Sequence, residues 1–311
     1  MTSELWSTIT FRLLRAVLTV LAVVTAVFFL SRAIGDPVSY FAPIDFSQAQ
    51  IDEMKEDMGF NKPLPQQYVE FIGDAVQFEF GTSFRASRPA ADVVRERLLA
   101  TVHLGVAALA LGISIGVPLG VIAAVRRGGA IDFVSRVLAL LGQAVPNFWL
   151  GLILILVVAV QLGWVPTGGR GDWRSIILPA FTLGTAPAAA IMRFTRSAML
   201  DALEQDYIRT ARAKGLSERV VIIRHALRNS MLAVVTLIGL QVGGILSGSI
   251  IVETVFAWPG LGRLIIQSIV GSDYSVVQAA VFLTTVWIVL ANLVVDISYM
   301  FLDPRIRTGA V

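Results

Sequence analysis

Cysteine is absent from the 311 residues, so disulfides, thiolate metal sites and cysteine nucleophiles are excluded and the redox compartment stays open. Histidine occurs twice, at His103 where an apolar run begins and at His225 in a basic loop. Two separated histidines supply neither a His-rich metal site nor a nucleophile with its base, and no catalytic residue is assigned. Charge is scarce at 15% of residues, and lysine appears only at Lys55, Lys62 and Lys214. No Gly-x-x-x-x-Gly-Lys-[Ser/Thr] run occurs, so the chain does not cradle nucleotide phosphates by that route. An autonomous ion-coupled transporter would show buried carboxylate pairs in two repeated halves, and neither is evident.

What is present is apolar. Hydrophobic residues make up 56% of the chain and the mean hydropathy is +0.75, which marks a membrane protein. The net charge of +3 and pI near 9.5 do not point to nucleic acid, because the basic residues fall between runs long enough to cross a bilayer. Six such runs lie near Ala16–Phe29, Thr101–Val125, Val137–Gln161, Ile176–Met199, Met231–Phe256 and Gln278–Leu302. The expected fold is an all-α, polytopic membrane protein with one transmembrane domain over residues 1–311. The first run follows Arg12 and Arg15 like a secretory signal but lacks a small-x-small site, and is read as a retained helix.

Orientation follows from the short connections. Arg12 and Arg15, then Arg126, Arg127 and Arg136, then Arg305 and Arg307 share one side in a six-span chain, which makes that side and both termini cytoplasmic. Residues Ser31–Leu98 then form a large external segment, in which "IDEMKEDMGF" and "QQYVEFIGDAVQFEF" have the spacing of short amphipathic helices.

The connection at residues 200–230 is the unusual one. "DYIRTARAKGLSERVVIIRHALRN" packs six Arg or Lys residues between Asp206 and Asn229. Tyr207, Ile208 and Ala211 share a helical face while Arg209, Arg212 and Lys214 spread over the others. Gly215 is placed to end that helix in a left-handed cap, and Ser217 to cap a second one through Val220, Val221, Arg224 and Leu227. Positive residues alone would serve topology; helix, glycine, helix is better suited to a groove on another protein.

This stretch resembles the cytoplasmic coupling loop of ATP-binding-cassette (ABC) importer permeases, whose pattern is Glu-Ala-Ala, three residues, Gly, nine residues, Ile-x-Leu-Pro. Arg209, Thr210 and Ala211 occupy the Glu-Ala-Ala positions, Gly215 the glycine, His225 the Ile, and Leu227 and Arg228 the Leu-Pro. Ala211, Gly215 and Leu227 fit the general form, and the departures resemble the dipeptide, oligopeptide and nickel branch, as do "DMGFNKPLPQQYVEFI", "FGTSF", "QAVPNFWLGLILI", "ETVFAWPGLGRL" and "DISYMFLDPRIR". The resemblance implies a permease subunit of the bacterial inner membrane. It implies a related, non-identical second permease, two ATPase subunits holding ATP and magnesium, and an external binding protein that delivers substrate, with no cofactor on this chain. The coupling positions it implies are Tyr207, Arg209, Thr210, Ala211, Arg212, Lys214, Gly215, Leu216, His225 and Leu227. Small peptides are the expected cargo, with nickel complexes, glutathione or haem as alternatives in the same architecture.

Within the spans, Gly112, Gly116 and Gly120 repeat every four residues, as do Gly239 with Gly243 and Gly244 with Gly248, the pattern of closely packed helices. Pro118, Pro146, Pro179 and Pro187 interrupt spans. Gln143, Asn147, Gln241, Asn292 and Asp296 are polar at membrane depth, where such groups line a wet pathway or bond between helices; Asp296 is read as structural. Arg193 and Arg196 are expected to snorkel to the surface. Glu253 has two readings: an external gate or contact for a substrate's amino terminus, or a structural partner of Arg263 or the Trp258–Pro259–Gly260 turn.

Overall fold

A computed structural model describes residues 2–33, 47–57, 61–83 and 85–302. The elements are almost all helical. They run α1 (Thr2–Ala33), α2 (Gln48–Asp57), α3 (Leu64–Gln77), a hairpin of β1 (Thr82–Ser83) and β2 (Arg88–Pro89), α4 (Ala90–Val125), α5 (Ala130–Ala144) and α6 (Asn147–Leu154). Then come α7 (Ile177–Leu203), α8 (Asp206–Ala213), α9 (Glu218–Val220), α10 (Arg228–Val255), α11 (Leu261–Val270) and α12 (Tyr274–Leu302). Two π-helical segments extend this series: Ile155–Gln161 continues α6, and Val221–Leu227 joins α9 to α10.

Among the described residues, five helical stretches are long and apolar enough to cross a membrane: Thr10–Leu30, Ala90–Val125, Trp173–Leu203, Glu218–Gly244 and Tyr274–Val295. The sixth expected span is a bent pair, α5 and α6, whose axes differ by 104°. Pro146 explains the break. A residue before proline is pushed out of the helical region, and Val145 sits at φ −77°, ψ 123°, with Pro146 itself extended at ψ 136°. The run expected over Val137–Gln161 is thus two helices that meet at the proline said to interrupt it. Pro118 and Pro187 stay inside α4 and α7, and Pro179 lies in the first turns of α7.

The chain divides into two compact units, Met1–Ala100 with Pro259–Leu293, and Thr101–Trp258 with Val294–Val311. In the first, α3 begins after Pro63 and ends at Phe78, whose φ of 62° makes a left-handed cap. This helix returns to α1, where the Thr25 and Tyr68 hydroxyls lie 2.7 Å apart and Arg32 Nε donates to Gln67 Oε1 at 2.9 Å. The hairpin pairs Thr82 with Pro89 and Ser83 with Arg88. It is pinned by the Ser83 hydroxyl, which donates to the buried Asp273 carboxylate at 2.6 Å beside the start of α12. The two amphipathic helices expected in the external segment are present as α2 and α3; the hairpin and α11 are additions.

In the second unit, α7 is the central helix. It packs against α10 and α5, and α4 lies along it by way of small residues. A Cβ added at Gly116 or Gly120 would sit 2.7 Å from the carbonyl oxygens of Ala188 and Met192, and one added at Gly184 would sit 2.6 Å from that of Ala108. Backbones this close are what glycine permits between helices in lipid, where packing replaces the hydrophobic drive.

Candidate functional site

The candidate coupling region is built on the end of α7. After Leu203 the chain turns through Gln205 into α8, whose Ile208 and Ala211 are buried with Met199 and Ala202 of α7, Ala124 of α4, and Val221 and Ala226 beyond the loop. Tyr207, Arg209, Thr210, Arg212, Lys214 and Leu216 are exposed on the opposite side, while His225 and Leu227 are half-buried. One face anchors the helix and the other is left to solvent.

The end of α8 is a Schellman cap. Leu216 N–H donates to Ala211 O at 3.4 Å and Gly215 N–H to Arg212 O at 2.9 Å, with Gly215 at φ +77°. That region of conformational space costs a residue with a Cβ roughly 1 kcal/mol. No atom lies within 4 Å of where a Gly215 Cβ would be, so within this chain the conformation, not crowding, selects glycine. Across the turn Arg212 grips Glu218 through Nε at 3.1 Å and Nη2 at 2.6 Å, and that hydrogen bond raises the guanidinium pKa above its ordinary value.

Two details differ from expectation. Ser217 holds the N-cap position with its side chain making no capping bond; its carbonyl instead accepts from the Val220 and Val221 N–H groups. The second helix is also no separate element, since α9, the π-helical segment and α10 follow one another from Glu218 to Val255 without a break. The candidate coupling region thus leads directly into a membrane-length helix.

Farther along α7 and α10, and bordered also by α5 and α6, is a cavity of about 300 Å3, lined by Gln143, Asn147, Leu183, Ala186, Pro187, Ala190, Gln241, Gly244 and Gly248. Three of the polar residues singled out in the sequence meet here, brought together by the α5–α6 bend and by α10. The bend puts Gln143 just before the break and Asn147 just after it. Asn292 is exposed on α12, in the other unit, and the side chain of Asp296 and residues Arg305 and Arg307 lie outside the described residues. Of the glycines on α10, Gly244 and Gly248 face this cavity, and Gly239 and Gly243 are half-buried in the helix.

Glu253 is not at the cavity. Its side chain is fully buried and accepts a hydrogen bond from the Thr101 hydroxyl at 2.6 Å, while its carbonyl accepts from Trp258 N–H at 2.8 Å. The turn beyond it places Ala257 at φ 50° and Trp258 in the interior, near the exposed His103 ring at 6.5 Å. Gly169 N–H reaches the same turn by donating to Phe256 O at 2.8 Å.

Sequence reasoning missed one feature near the coupling region. Arg196 was expected to snorkel, but Nε and Nη2 donate to the two oxygens of Asp132 at 2.6 and 2.9 Å, and Gly128 N–H adds a third bond at 3.0 Å. The Asp132 side chain is only 2% exposed. An aspartate just inside an amphipathic helix, flanked by Arg126, Arg127 and Arg136, reads as a solvated helix start; its partner 64 residues away leaves no local signal. Arg193 is exposed.

Known proteins resemble this chain in sequence and in fold. The family described as the binding-protein-dependent transport system inner membrane component matches residues 116–308. Proteins named glutathione transport system permease protein GsiC are similar over 297 residues, 42% identical in Pectobacterium atrosepticum and 43% in Escherichia coli strain K12 and Shigella dysenteriae; each alignment covers 95% of this chain and 97% of the relative. Two solved structures share the fold. An inward-facing structure of the MetNI methionine ABC transporter matches with TM-score 0.57 at 19% identity, over 68% of this chain and 96% of that one. An amino acid ABC transporter with histidines matches with TM-score 0.52 at 16% identity, over 67% and 94%. The chain belongs to the binding-protein-dependent inner-membrane permeases, the membrane-spanning subunits of ABC importers.

Proposed function

We propose that the chain imports small peptides of the size of glutathione, with the polar cavity as part of the path and α8 as the contact for a separate ATPase. The observation that carries this reading is the continuity of one structural line. The helix series that buries α8 through Val221 and Ala226 also presents Gln241, Gly244 and Gly248 to the cavity. A push on α8 therefore falls on the helix that borders the path.

The cavity chemistry favours a peptide. Amide side chains donate and accept with equal ease, so Gln143, Asn147 and Gln241 can exchange bonds with a peptide backbone without trapping one charge. Glutathione is a tripeptide, and the relatives' names support it among peptides. In this reading the substrate arrives from an external binding protein, a second permease completes the path, and two ATPase subunits holding ATP and magnesium dock on the exposed side of α8. The chain itself binds no nucleotide and catalyses no reaction. Both termini lie in the cytoplasm, and the segment Ser31–Leu98 faces outward towards the binding protein.

Moving such a path from 1:99 to 99:1 between two states requires about 5.5 kcal/mol of differential binding, within reach of nucleotide-driven closure of the ATPase pair. The test is uptake of labelled glutathione into vesicles carrying the assembled transporter, compared with a Gly215→Asp variant. The expected result is that the variant inserts normally and hydrolyses ATP without matching uptake. Wild-type uptake by the variant would remove the coupling assignment, and absence of glutathione uptake with retained dipeptide uptake would move the substrate to other peptides.

A further inference from the structure

We infer that the Asp132–Arg196 pair is a strut that carries displacement of α8 into the α5 wall of the polar cavity, an inference that rests on the coupling role of α8 proposed above. The cavity has two polar walls. Gln241 stands on α10, which continues the π-helical segment whose Val221 and Ala226 bury against α8; Gln143 stands on α5, which is absent from the buried cluster around Ile208 and Ala211. Motion of α8 needs another way to reach Gln143.

The geometry supplies it in three steps. Ile208 and Ala211 of α8 bury against Met199 and Ala202 near the end of α7. Arg196 lies about one turn before Met199 on that same helix, and its guanidinium holds both oxygens of Asp132, at 2.6 and 2.9 Å. Asp132 is in the first turn of α5, and Gln143 is in its last. A two-point fork fixes direction as well as distance, so a shift of α7 passes to α5 as a shift of the whole helix.

Neighbouring contacts are consistent with this role. Gly128 N–H at 3.0 Å and Arg136 Nε at 3.5 Å also hold Asp132, so the carboxylate is fixed within α5 as well as across to α7. On its other side α7 is seated against Gly116 and Gly120 of α4 with no room for a side chain, so it moves as part of a packed body. The second ion pair in this region, Arg127–Glu204 at 2.9 Å, is about two-thirds exposed on each partner, where solvent screens it.

The test uses the complete transporter, with ATPase subunits, second permease and binding protein, reconstituted in lipid, and reads substrate moved per ATP hydrolysed. Asp132→Asn and Arg196→Gln are each expected to assemble in wild-type yield, retain at least half of the ATP hydrolysis, and move at least tenfold less substrate per ATP. The double variant is expected to lose no more than either single one, because both remove the same link. Arg196→Lys keeps the charge and the fold but lacks the fork, and is expected to fall in between. A ratio within twofold of wild type in both single variants overturns the strut. So does a loss of uptake that only follows a loss of assembled complex across the set including Arg196→Lys, since that is the mark of a purely structural pair. If the wild-type complex itself shows no ATP-dependent uptake, the coupling reading fails, and the strut with it.

Discussion

Two helix faces in the second unit carry glycine at the same four-residue spacing and serve opposite purposes. Along α4, Gly116 and Gly120 leave α7 so close that an added Cβ would meet backbone oxygen at 2.7 Å. Along α10, an added Cβ at Gly244 would meet nothing within 4 Å, and one at Gly248 would meet Leu183 Cδ1 at an ordinary 3.5 Å. The first face is a seam without slack and the second borders open space. Repeated glycine says that a helix face is smooth; whether that smoothness admits a neighbour or a cavity depends on what the fold puts opposite.

The strongest way to break this comparison is Gly184→Val, which forces a branched side chain against the Ala108 carbonyl. It is expected to lower stability by about 2–3 kcal/mol, read from thermal unfolding of the purified chain in detergent. Unchanged unfolding would mean that the α4–α7 seam is looser than the geometry requires. Thr101→Val tests how α4 meets α10 at a polar rather than a glycine contact. It takes one donor from the buried Glu253 carboxylate and is expected to cost about 1.5 kcal/mol in the same assay.

Gln241→Leu probes the open face. It should leave unfolding nearly unchanged while reducing uptake about fivefold, close to 1 kcal/mol for one lost hydrogen bond; equal loss of stability and uptake would assign Gln241 to packing. Gly244→Ala is the smallest change, expected to alter stability by less than about 0.5 kcal/mol. A penalty equal to that of Gly184→Val would erase the distinction between seam and cavity.

The same contrast explains what could be read from the sequence. Five membrane-length helices, the amphipathic α2 and α3 and the left-handed turn at Gly215 were legible because each depends on local periodicity or on one residue's conformational preference. Pro146 was grouped with Pro118, Pro179 and Pro187 as a proline that interrupts a span, without a sign of how differently they act. All four lack an N–H, but only at Pro146 does the preceding residue take the extended conformation and turn the helix aside. The two π-helical segments, the short α11 and the hairpin carry weak local signals and owe their form to packing. Asp132 with Arg196 was invisible for a different reason: residues that are far apart in sequence become partners only once α5 and α7 lie side by side. The cavity lies between these cases. Gln143, Asn147 and Gln241 were conspicuous as polar residues in apolar runs, yet their meeting depends on the 104° angle of the bend, which a proline alone does not specify.

The absence of cysteine makes the central claim directly testable, because any cysteine introduced is the sole thiol of this chain. Arg209→Cys and Lys214→Cys place it on the exposed side of α8, and Arg193→Cys places it at an exposed position of α7 about three turns before that helix ends. Thiol-directed cross-linking in native membranes, followed by mass spectrometry, is predicted to join Cys at 209 and 214 to an ATPase subunit and to leave Cys at 193 unjoined to it. A chain that still transports while neither α8 position captures an ATPase would contradict the account.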